Sequence, residues 1–120
     1  MPSDEVLDPA VVAALRRAQD AFGNPGFIRQ LAGLFLTNTP GKMDRLREAV
    51  TAGDAEAIRE VAHALKSNCG MLGATRMADA CALMEDAAAR ADLAAAGEAF
   101  REAEQLLPAV LEALAGLTSA

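Results

Sequence analysis

Apolar residues recur three and four positions apart along almost the whole chain, and each such run is framed by residues that start or stop a helix. Leu7-Asp8-Pro9 opens the first helix, with Asp8 as cap and Pro9 at the first helical position, where its missing N–H is not needed. Val12, Leu15 and Ala18 give it a short stripe that stops near Phe22-Gly23. Asn24-Pro25 repeats the start signal for a second helix, in which Phe27, Leu31, Leu34, Phe35, Leu46 and Val50 keep the spacing as far as Thr51 or Ala52. Pro40 lies inside this helix and predicts a bend or short break around Asn38 to Gly41. Gly53-Asp54 ends it and caps a third helix with Ile58, Val61, Ala62, Leu65, Cys69 and Leu72 on one face. Gly73 closes the third, and a fourth runs from about Thr75 to Ala91 with Met77, Ala80, Cys81, Met84 and Ala88 inward. Asp92 caps a fifth that buries Phe100, Ala103, Leu107, Val110, Leu111 and Leu114 and bends at Pro108. The expected fold is all-α: an up-down-up-down four-helix bundle with the N-terminal helix packed across one end.

Composition agrees with helices rather than sheets, because the 52% apolar share is mostly Ala, Leu, Val and Met, with only four aromatic residues, all Phe. One domain spanning residues 1–120 is the expectation at this length. Seventeen acidic against eleven basic residues leave a charge of −6, which repels a phosphate backbone and argues against nucleic acid as a partner. No apolar run reaches the roughly 18 residues of a membrane span, and Met-Pro-Ser-Asp-Glu lacks the pattern of a secretory signal, so the cytoplasm is the expected compartment. Cys69 and Cys81 suit two reduced, buried thiols, and one His with two Cys makes no familiar zinc set, so neither a metal nor another cofactor is expected.

Helical geometry also places the only histidine. At about 100° per residue, with Ile58 at zero, the third helix's apolar positions fall between roughly −60° and +40°, whereas His63 falls near 140°. Its imidazole therefore leaves on the solvent side, with Arg59 one turn before, Lys66 and Ser67 one turn after, and Gly70 two turns after. Small residues at 67 and 70 clear a strip along which a partner's backbone or a phosphoryl group can approach, although Gly costs a helix about 1 kcal/mol relative to Ala. Neutral imidazole is a good phosphoryl acceptor near physiological pH, and Lys66 is placed to offset charge on the product. A lone surface His beside a Lys is more often simply solvated, so the surrounding sequence decides.

His63-Ala64-Leu65-Lys66-Ser67-Asn68-Cys69-Gly70-Met71-Leu72-Gly73-Ala74 resembles the motif of the histidine-containing phosphotransfer (HPt) domains of bacterial two-component phosphorelays, H-x-L-K-G followed by a Gly ten positions after the His. The likeness continues through Met77, Cys81, Met84 and Glu85, and upstream through Asp8-Pro9, Phe27 to Leu36 and Gly53-Asp54. It implies that His63 is phosphorylated at Nε2, that Lys66 stabilises the added charge, that Arg59, Ser67 and Gly70 meet the partner, and that Gly73, Cys81 and Met84 are structural. Ser67 departs from the family's usual Gly. The resemblance further implies a monomeric phosphoryl carrier without kinase activity of its own, whose partners are receiver domains of response regulators or hybrid sensor kinases. Two alternatives stay open: a degenerate module that binds a receiver without transfer, and the phosphoacceptor domain of a chemotaxis-type kinase. The initiating Met and the closing Gly-Leu-Thr-Ser-Ala lean towards a free-standing chain.

Overall fold

The computed structural model describes residues 6–118, so the readings made on Met1 to Glu5 and on the last two residues lie outside the described residues. Five helices follow one another: α1 (Pro9–Phe22), α2 (Phe27–Ala52), α3 (Ala55–Met71), α4 (Thr75–Ala89) and α5 (Leu93–Thr118). Connections of two or three residues between the last four reverse the chain each time. They form a closed ring in which α3 packs on α4, α4 on α5, α5 on α2 and α2 on α3.

All the turns are closed by the chain's own backbone. After α3, the Gly73 N–H donates to the Gly70 carbonyl and the Ala74 N–H to the Cys69 carbonyl, the paired bonds of a Schellman stop, with Gly73 at φ +81°. Gly73 needs to be glycine for a second reason. A Cβ there would sit 3.1 Å from the Val11 Cβ and 3.2 Å from the Asp8 backbone nitrogen. The Asp8 N–H donates to the Gly73 carbonyl at 2.8 Å, so the start of α1 is strapped across the α3–α4 turn. The other end of α1 is held where the Gln19 Oε1 accepts from the Ile28 N–H and the Phe22 ring meets Phe27 edge-on. α1 buries no residue completely and sits at one end of the bundle.

Ala32, Phe35, Leu46, Ile58, Leu65, Met84 and Phe100 typify a core drawn from all four long helices. The sequence pattern needs four corrections. Leu34, placed in the α2 stripe, is 60% exposed, because Ala32, Phe35, Thr39, Met43 and Leu46 form the buried line instead. α2 starts at Phe27 with Gly26 as its cap, and Asn24-Pro25 forms the turn before it. No break occurs at Pro40, and α5 likewise continues through Pro108: both prolines are exposed, so the helical bond each removes lies towards solvent. α4 stops at Ala89, and Ala91 takes the positive-φ position of the next turn at +57°.

Candidate functional site

His63 lies at the middle of α3 because Ile58, Ala62, Leu65 and Cys69 claim the opposite face for the core. Its side chain is 61% exposed, as the angular argument required. Across the seam, α4 runs antiparallel and presents Glu85, whose Oε2 lies 2.7 Å from His63 Nδ1 and whose Oε1 accepts from Lys66 Nζ, also at 2.7 Å. One carboxylate thus serves both polar groups of the motif.

An ionised carboxylate can only accept, so the geometry assigns the imidazole proton to Nδ1 and leaves the Nε2 lone pair free. Among the described residues nothing bonds to Nε2. Lys66, then His63, hold the Glu85 carboxyl below its ordinary value against the opposing effect of partial burial. Because the folded value is depressed, the contact contributes stability above the ordinary carboxyl range and loses it as pH falls through the lowered value.

The remaining motif residues divide by role. Ser67 and Gly70 are exposed on the His63 side, and a Cβ added at Gly70 would meet nothing within 4 Å. The Ser67 hydroxyl donates back to the His63 carbonyl at 3.4 Å. Arg59 is exposed and turned to Glu56 at 3.9 Å. Gly73, Cys81 and Met84 do not approach the imidazole; the first forms the turn under α1 and the others are core. Cys69 and Cys81 are unpaired and fully buried, and the Cys81 thiol, then burial, push the Cys69 thiol above its ordinary value, which makes it a poor nucleophile.

The part played by Glu85 escaped the periodicity argument, which treats one helix at a time. The signal lies between helices: α3 and α4 are antiparallel and joined by three residues, and the packed hairpin brings Cys81 to Cys69 and Glu85 to His63.

The sequence model of the Hpt domain family matches residues 30–116, which takes in α3, α4 and the whole site. The chain belongs to the Hpt domain family. Among solved structures it is similar to histidine-containing phosphotransfer protein B from Pseudomonas aeruginosa, with a TM-score of 0.85, 25% sequence identity, and coverage of 97% of this chain and 96% of that one. No protein with curated annotation matches the chain. Family and fold together place this Hpt domain in histidine phosphotransfer within a phosphorelay, in a family of phosphoryl carriers rather than kinases that generally interacts with receiver domains. Among the described residues no helix is long and apolar enough to cross a membrane.

Proposed function

We propose that His63 Nε2 accepts a phosphoryl group from an aspartyl phosphate of a receiver domain and returns it to the same or another receiver. The observation that supports this most directly is the Nδ1–Glu85 bond, which leaves an unprotonated nitrogen facing solvent. In the transfer the Nε2 lone pair attacks phosphorus in line, the P–O bond to the aspartate breaks, and that carboxylate leaves as an anion. The new N–P bond puts positive charge on the imidazole, and Glu85 balances it through Nδ1–H. Lys66 keeps Glu85 ionised and adds a positive charge beside the incoming phosphoryl group.

The receiver presses on the exposed strip of Arg59, Ser67 and Gly70, with residues 1–120 acting as one carrier domain. Mixing the protein with phosphorylated receiver domains should label it, and His63→Gln should abolish the label. Label that persists in His63→Gln, or no label from any receiver, would remove the reading. Gly70→Leu should lose most transfer through bulk alone, because reacting atoms must close to roughly 3–3.5 Å. The open space around Gly70 lets that variant fold at least as stably, with about 0.5–1 kcal/mol gained from helix propensity. Normal transfer by a well-folded Gly70→Leu protein would put the docking surface elsewhere.

A further inference from the structure

Nδ1 and one N–H of the Lys66 ammonium share Glu85, so on the α4 side the lysine is the one group with donors left for a phosphoryl oxygen. A phosphoryl group on Nε2 carries oxygens that seek donors, and the solvent side of α3 offers few. Gly70 has no side chain, and Arg59 is turned to Glu56 towards the start of the helix. Ser67 stands four residues on from His63, where Cβ atoms on a helix are about 5–6 Å apart. Its hydroxyl is held only by the 3.4 Å bond to the His63 carbonyl, well beyond the usual O–H···O length of about 2.7–2.8 Å. Rotation about one side-chain torsion therefore releases the hydroxyl at small cost.

Resting on the reading of His63 as the phosphoryl acceptor, we infer that Ser67 is a phosphoryl-contacting residue whose hydroxyl leaves the His63 carbonyl and donates to a phosphoryl oxygen once Nε2 is phosphorylated. No bond is made or broken at Ser67; it contributes a hydrogen bond that exists only in the phosphorylated state. The consequence is thermodynamic. Ser67 deepens the phosphohistidine state relative to aspartyl phosphate, so it helps to set where the phosphoryl group rests at equilibrium.

Three variants separate hydroxyl from bulk: Ser67→Ala removes the hydroxyl and keeps Cβ, Ser67→Gly removes both, and Ser67→Thr keeps the hydroxyl. The readouts are the equilibrium distribution of label between this protein and a phosphorylated receiver, and the 31P resonance of the phosphohistidine. Ser67→Ala and Ser67→Gly should both shift the distribution about tenfold towards the receiver, the size of one hydrogen bond to a charged group at about 1.4 kcal/mol per decade, and both should move the resonance. Ser67→Thr should stay near the parent. If Ser67→Ala matches the parent in both readouts, the hydroxyl has no such contact, whatever Ser67→Gly does to the rate. Failure of the underlying reading looks different, since the parent itself would then carry no label that His63→Gln removes.

Discussion

The two flanks of α3 are built on opposite plans. On the side facing α4, Glu85 takes both His63 Nδ1 and Lys66, and the two thiols face each other below them. On the side facing α2, a shallow groove is lined by Leu31, Leu34, Phe35, Lys42, Asn68 and Met71. There Leu34 and Met71 are 60% and 54% exposed, and no carboxylate among the described residues pairs with Lys42. The same helix thus has one flank paired within its own protein and one left unmatched. The imidazole is prepared entirely by the α3–α4 pair, so its proton position depends on the register of that hairpin and on nothing α2 supplies.

Removing Glu85 attacks the prepared flank directly. Glu85→Ala should slow phosphorylation of His63 by about 10- to 100-fold, the worth of one charge-assisted hydrogen bond, while a partly exposed carboxylate leaves melting temperature little changed. Imidazole 15N resonances should show the fixed Nδ1–H form giving way to exchange between the two neutral forms. Unchanged resonances would mean that Glu85 does not set the tautomer. Lys66→Ala should act more mildly, slowing transfer severalfold, because Glu85 keeps its bond to Nδ1, and the loss of a half-buried ion pair at the surface should cost folding only about 1 kcal/mol. Equal losses from both variants would mean that the lysine matters to transfer as much as the carboxylate does. The smallest effect belongs to the open flank. Met71→Ser should change stability by no more than about 0.5 kcal/mol and leave the His63 resonances in place. A shift there would join the two flanks that the structure separates.

Much of this was legible in the residues themselves. Five helices followed from stripes and caps, and the outward direction of His63 followed from counting degrees away from Ile58 and Leu65. The misreadings share a cause. Leu34 looked like core because it is apolar at a helical spacing, but the decision between neighbouring stripes on α2 lies with α3 and α5, which pack against it. Thr39 is almost completely buried although its type gave no hint of it. Pro40 reads as a bend or break because propensity treats a helix in isolation, whereas packing on the opposite face keeps α2 one unbroken helix. At the site, the identity of His63 could be read from one helix. Its proton position could not, because that is set by a side chain 22 residues away on another helix.

The order in which the ring of helices is joined bears on how the chain assembles. α2–α3, α3–α4 and α4–α5 are each neighbours in sequence, so three of the four seams need only a loop of two or three residues to close. The fourth brings α5 back against α2 and spans most of the molecule, with Arg47 reaching from α2 to Glu104 at 2.8 Å and lying over the Phe100 ring. Loop-closure entropy falls mainly on that one event, and topologies so rich in local contacts fold quickly. The hairpin that holds His63 and Glu85 lies among the inexpensive seams. Opening the α2–α5 seam alone would leave His63 and Glu85 in register, because α3 and α4 hold them without α5.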